Sequence, residues 1–205
     1  MKLIAITTEA LFDGEPEALN MLFDDGLESL HLRKPSASKD ETECLIRRID
    51  ERFRNRIVVH DHYSLAGQYG LKGIHLNKRN ELFTVHCSLF TAISRSCHTL
   101  DEVSACRDLE YVFLSPIFDS ISKAGYRKRF ERELLVGAGR EGTIDAKVIA
   151  LGGITKERIP EVRSYGFGGV AVIGALWNAF PKDGDLNGLS VRFKELRNKC
   201  GDYCL

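Results

Sequence analysis

Two apolar runs near the end of the chain break on glycine, Val148-Ile149-Ala150-Leu151-Gly152-Gly153-Ile154 and Gly168-Gly169-Val170-Ala171-Val172-Ile173-Gly174-Ala175. Glycine after a buried strand lets backbone N–H groups come close to an anion, so Gly152, Gly153, Ile173 and Gly174 are candidates to cradle a phosphate. Other polar residues also follow short apolar runs: His31, Arg33 and Lys34; His60, Asp61 and His62; residues 77–80; Ser94, Arg95, Ser96 and His98; then Ser120, Ser122 and Lys123. Imidazoles suit proton transfer near neutral pH, and Arg and Lys suit an anionic ligand. Each has a plainer reading, since a strand-end His is commonly a hydrogen-bonded wall residue and an Arg or Lys there a surface charge. Their common position at run ends favours a shared site.

The elements that must position them alternate. Strands are expected at residues 2–7, 29–33, 57–60, 73–76, 91–94, 111–114, 147–150 and 169–173, and amphipathic helices at 15–25, 38–53, 99–107, 132–139, 156–165 and 188–199. Eight strands interleaved with helices predict an α/β fold, a (β/α)8 barrel in which the C-terminal strand ends carry the chemistry. An open flavodoxin-like sheet, with fewer strands, is the alternative. Residues 77–88 form the poorest-patterned unit. Gly26 is expected to end the first helix, Ser38 with Glu41 to form a capping box, and Thr155 to open the helix at 156.

The 205 residues, 43% hydrophobic and 28% charged, suit a single barrel domain over 1–205, with a C-terminal helix and tail over 181–205. Lys plus Arg number 29 and Asp plus Glu number 29, which argues against a nucleic-acid or anionic-membrane partner. The apolar stretch in residues 1–7 is too short for a signal-peptide core and no later run approaches a membrane span, so a cytoplasmic protein is expected. The six cysteines, Cys44, Cys87, Cys97, Cys106, Cys200 and Cys204, lack zinc-site spacing and read as free thiols, although Cys200 and Cys204 could oxidise together.

The segments Leu30-His31-Leu32-Arg33, Val58-Val59-His60-Asp61, Gly73-Ile74-His75-Leu76, Ser94-Arg95-Ser96-Cys97-His98-Thr99 and Tyr111-Val112-Phe113-Leu114-Ser115-Pro116-Ile117-Phe118, with the two glycine turns, resemble the thiamine-phosphate synthase family. The resemblance runs from the first strand to about Leu176. It implies a barrel that joins hydroxymethylpyrimidine diphosphate to hydroxyethylthiazole phosphate, with diphosphate leaving. Mg²⁺ would be the cofactor and Asp61 a metal ligand. Arg33, Ser96 and Lys123 would face the diphosphate, joined by Ser120 and Ser122, and the thiazole phosphate would rest on Gly152-Gly153 and Ile173-Gly174-Ala175. Family members are often homodimers.

This chain departs from the synthase pattern. Where Gln-x-Arg-x-Lys is usual it has His31-Leu32-Arg33-Lys34-Pro35, where Asn-Asp is usual it has His60-Asp61, and at the second metal-binding Asp it has Asn80. His31 and His60 therefore stand at substrate-binding positions, and Asn80 offers Mg²⁺ an oxygen without charge. These changes resemble the family's thiazole tautomerase branch, in which His98 would shuttle a proton. Asp61, which has no obvious use in a tautomerase, puts the synthase first. A non-catalytic binder of thiazole phosphate or thiamine phosphate is a third alternative. His75 and His86 read as structural and His62 as solvent-facing.

Overall fold

Short β-branched runs bounded by turns form strands, and the computed structural model describes residues 1–77, 90, 92–119, 129–177 and 180–201. The strands are β1 (Lys2–Ile6), β2 (Leu30–Leu32), β3 (Ile57–Val59), β4 (Gly73–Leu76), β5 (Ala92–Cys97), β6 (Tyr111–Leu114), β7 (Val148–Leu151) and β8 (Gly169–Val172). All eight lie in chain order in a closed barrel, and β8 pairs in parallel with β1 through Leu3↔Val170 and Ile4↔Ala171. Closure excludes the open flavodoxin-like sheet.

Strands covered on both sides must be apolar on both faces, which is why Ile57-Val58-Val59 and Tyr111-Val112-Phe113-Leu114 are continuous buried runs. One side packs beneath the helices α1 (Glu15–Asp24), α2 (Lys39–Arg48), α3 (Ser64–Gln68), α4 (Leu100–Ala105), α5 (Arg132–Arg140), α6 (Ile159–Ser164), α7 (Gly174–Trp177), α8 (Phe180–Asp183) and α9 (Leu186–Gly201). The other faces the lumen.

Local chemistry explains where the helices depart from expectation. The span 38–53 begins as expected, with Ser38 and Glu41 forming the reciprocal capping box, but it breaks at Ile49, which is extended. Asp50 then caps a separate 3-10 segment, Glu51–Arg56, by accepting from the Arg52 amide. Residues 155–158 make a turn, with Arg158 N donating to the Thr155 carbonyl, and Pro160 sits where a helix tolerates a missing N–H, so α6 starts at Ile159. The short α3 offers too few residues for periodicity. In α9, Leu189, Phe193, Leu196 and Cys200 form one buried stripe. Cys200 is thus a core residue whose thiol burial pushes up to about 11, while Cys204 and Cys87 lie outside the described residues.

Gly73 has a steric role at the start of β4. A Cβ there would sit 1.8 Å from the carbonyl oxygen of Ala92 on the neighbouring strand. Gly73→Ala should therefore force β4 and β5 apart and lower stability by about 3 kcal/mol, at the upper end of overpacking costs, in a urea-denaturation comparison.

Candidate active site

Because the strands are parallel, their C-terminal ends open on one rim. That rim carries Arg33 after β2, His60 and Asp61 after β3, Asn77 after β4, Ser96 and His98 at the end of β5, Gly152 and Gly153 after β7, and Ile173 and Gly174 after β8. Asn80, Ser120, Ser122, Lys123 and His86 lie outside the described residues. A cavity of about 200 Å³, lined by Cys106, Arg107, Tyr111 and Lys147 among others, lies at the N-terminal ends of β6 and β7 and so away from the rim.

Two adjacent cations after β2 have different settings. Arg33 is half-exposed, pairs with Glu9 at 2.7 Å, and is held through its backbone by hydrogen bonds to and from Thr7. Lys34 turns inward: its Nζ lies 2.6 Å from Glu15 Oε1 and donates to the Ala10 carbonyl at 2.7 Å, with both charged side chains about 1% exposed. The lysine shifted one place from the family's position is therefore a structural ion pair.

His98 sits where β5 gives way to α4, and its Nδ1 donates to the Ser115 carbonyl at 2.9 Å. A carbonyl cannot donate, so Nδ1 carries the proton and Nε2 of the neutral ring is left as the acceptor. His62, expected at the solvent, is partly buried with positive φ, and its Nε2 donates to the Ala37 carbonyl at 3.0 Å.

The glycine turn after β7 has reasons of its own. Gly152 and Gly153 have φ of +100° and +63°, and added Cβ atoms would meet Pro116 Cα at 2.9 Å and the Asp119 carbonyl oxygen at 2.3 Å. The segment after β6 lies across this turn, with Ile117 N and Phe118 N donating to the Leu151 and Gly152 carbonyls. Glycine is required here by backbone packing, independently of any ligand.

Below the rim, part of the lumen is polar. His31 lies wholly inside it, Nδ1 being 2.9 Å from His60 Nε2 and Nε2 2.6 Å from the Tyr111 hydroxyl. His75 bridges Ser94 Oγ from Nδ1 and Ser96 Oγ from Nε2, each at 2.8 Å. Phe113, whose ring centre lies 4.7 Å from those of His31 and His75, belongs with Ile4, Ile6, Ile149 and Ala171 to an apolar cluster. His31 was expected at the substrate; the structure ties both of its ring nitrogens to protein groups. The signal for this cluster was strand parity: Leu30-His31-Leu32 and Ile74-His75-Leu76 alternate, so each imidazole faces inward while its neighbours face the helices.

Burial holds His31 well below the usual imidazole range and lowers His75 to about 3, with Arg33 adding repulsion for His75. The unfolded chain takes up protons below about pH 6.5 that the folded chain refuses, so stability falls as pH drops. From pH 7 to pH 5, His75 should cost about 2 kcal/mol, and His31 acts in the same direction. Urea midpoints measured across that range, in the native chain and in His75→Gln, would check it: the native midpoint should fall and the variant's should fall less.

The family model for thiamine monophosphate synthase matches residues 3–176. The chain is 36% identical to a thiamine phosphate pyrophosphorylase from Bacteroides thetaiotaomicron of known crystal structure, with all of both chains covered and a TM-score of 0.87. It is 27% identical to the thiamine-phosphate synthase of Listeria welshimeri over 193 residues, 86% of this chain and 90% of that one. A thiamine phosphate pyrophosphorylase from Pyrococcus furiosus, 22% identical with a TM-score of 0.78 over 98% of this chain and 96% of that one, shares the fold.

Proposed function

This chain belongs to the thiamine monophosphate synthase family, and from that premise we propose that it condenses hydroxymethylpyrimidine diphosphate with hydroxyethylthiazole phosphate to give thiamine phosphate and diphosphate. The carrying observation is the placement of Arg33, Asp61 and Ser96 at the ends of β2, β3 and β5 on the rim that also holds Gly152-Gly153.

Departure of diphosphate builds negative charge on the leaving oxygens, and fixed cations stabilise it. Arg33 supplies one such charge, exchanging its exposed partner Glu9 for the anion. Lys123, Ser120 and Ser122 would add contacts at the diphosphate, and the amides of Gly152, Gly153, Ile173 and Gly174 would receive the thiazole phosphate. Ser96 reaches the same rim with its hydroxyl held by His75. His60 lines the rim above His31, which orients it.

Asp61 fits Mg²⁺, since that ion is usually held by one or two carboxylates together with substrate phosphates and waters. Asn80 would contribute a carbonyl oxygen. When bound, the ion supplies charge neutralisation at the diphosphate.

A tautomerase reading comes second, favoured by the His98 tautomer: an Nδ1 fixed by Ser115 leaves Nε2 to move a proton on a thiazole ring. In that case His98→Gln should lower the tautomerisation rate by about 10²-fold. One assay separates the readings. The full chain with Mg²⁺ is offered both phosphorylated substrates, and separately the thiazole carboxylate tautomer. Thiamine phosphate is the expected product; its absence at saturating Mg²⁺ removes the synthase. Ligand binding without turnover of either set would leave a non-catalytic binder.

A further inference from the structure

We propose that His31, His60 and His75 form a binding site for a transition-metal dication in the barrel lumen, with Zn²⁺ as its preferred occupant. One ring nitrogen from each of the three lies within 4.8 Å of the others. All three side chains are buried, at 0%, 4% and 0% exposure. A lumen of this kind is ordinarily filled by branched aliphatic residues, as β1 and β7 fill it here with Ile4 and Ile149. Three imidazoles drawn from adjacent strand ends, β2, β3 and β4, need a different explanation.

The donor set selects the ion. Neutral imidazole suits Zn²⁺, Cu²⁺ and Ni²⁺ and is a poor match to Mg²⁺, which takes oxygen. This site is therefore chemically separate from the carboxylate of Asp61 and does not rest on the synthase reading. Its outer shell is also present. The Tyr111 hydroxyl holds His31 at Nε2 and the Ser94 hydroxyl holds His75 at Nδ1. Those contacts leave His31 Nδ1 and His75 Nε2 as the ligating atoms, beside His60 Nε2. With the ion in place, His31 donates from Nε2 to the Tyr111 oxygen, so no imidazole has to lose a net proton.

The rings must turn to take an ion: His60 and His75 stack with centroids 4.2 Å apart and planes 26° apart, so their lone pairs converge only once His75 rotates away from that stack. Tetrahedral Zn²⁺ with bonds of about 2.0–2.1 Å places its ligand atoms roughly 3.4 Å apart. His31 Nδ1 and His60 Nε2 are 2.9 Å apart, so they open slightly while His75 closes in by ring rotation. The fourth position falls toward Ser96 Oγ, which is 2.8 Å from His75 Nε2 and lies toward the rim. That side is also the ion's route in. Three protein ligands with one position open is the arrangement of a reactive zinc rather than a purely structural one.

The test uses the full chain, stripped with a chelator and with its accessible thiols alkylated. Zn²⁺ is titrated against a chromophoric chelator in excess Mg²⁺, and Co²⁺ is added to a parallel sample. The proposal expects one equivalent of Zn²⁺ bound at sub-micromolar Kd, and tetrahedral Co²⁺ bands without a thiolate charge-transfer band. His75→Gln should bind at least 100-fold more weakly, and Tyr111→Phe about 10-fold more weakly. Should His75→Gln fail to fold, the Co²⁺ spectrum of the unaltered chain and the Tyr111→Phe affinity still decide. No stoichiometric Zn²⁺, octahedral Co²⁺, thiolate bands, or Tyr111→Phe binding as tightly as the unaltered chain would each overturn it, leaving a hydrogen-bonded imidazole cluster.

Discussion

Asp61→Asn should lower the rate of thiamine phosphate formation about 10³-fold and leave the folded state nearly unchanged. The substitution keeps the size of the side chain and removes one charge. Asp61 lies just past β3, on the rim and outside the lumen, so its replacement opens no cavity in the barrel. If Asp61 is the charged protein ligand of the ion at the diphosphate, the variant needs far more Mg²⁺ to reach its remaining rate, and Asn80 adds no charge to offset the loss. Initial rates over a Mg²⁺ series, alongside a urea melt, separate the two effects. A rate within threefold of the native chain at ordinary Mg²⁺ would remove Asp61 from the site. A tautomerase would be insensitive to the substitution, so the variant also distinguishes the two readings.

What the sequence made legible follows from how much physics each feature leaves in the pattern. Eight strands buried on both faces leave short apolar runs, and the observed β4 and β6 coincide with the expected spans 73–76 and 111–114. The capping box at Ser38 and Glu41 was readable because both of its partners are local. The break at Ile49 was not, because Ile and Arg give no strong stop signal and Asp50, which caps the following segment where Phe53 is buried, is as easily read as a helix residue. Strand-end residues of the site were legible as positions, since a parallel barrel sends every C-terminal end to one rim. Side-chain direction was not legible: His31 and His60 both read as substrate contacts, and parity together with barrel register turns the first into the lumen and links it to the second. The glycines after β7 carried a steric message beside any phosphate message, visible only once the segment after β6 is seen to cross them.

Lys34 shows the same limit most sharply, and its replacement carries the largest expected loss of stability. Lys34→Met should destabilise the fold by about 3–5 kcal/mol, because it leaves the Glu15 carboxylate buried without its counter-charge. Among the described residues Glu15 Oε2 already has no hydrogen-bond partner, and Oε1 would lose its charged contact with Lys34. Methionine keeps an unbranched side chain but loses the ammonium, whose Nζ lies 5.7 Å from the centre of the Phe12 ring, so the change is confined to the charged group and its contacts. Burial raises the Glu15 pKa and Lys34 opposes it. Without Lys34 the folded-state pKa rises further. A raised carboxyl pKa means stability is fully present below the unfolded value of about 4.5 and is lost as pH climbs through the folded one. The deficit of Lys34→Met against the native chain at equal pH should thus be largest at pH 7 and above and shrink toward pH 5, while the histidine term cancels between the two. Adding Glu15→Leu removes the stranded charge, and the double variant should recover most of the loss. If the double variant were as unstable as Lys34→Met alone, the loss would come from the contacts of Lys34 with Ala10 and Thr8, which tie the segment before α1 to the end of β2, and the buried charge would not be its cause.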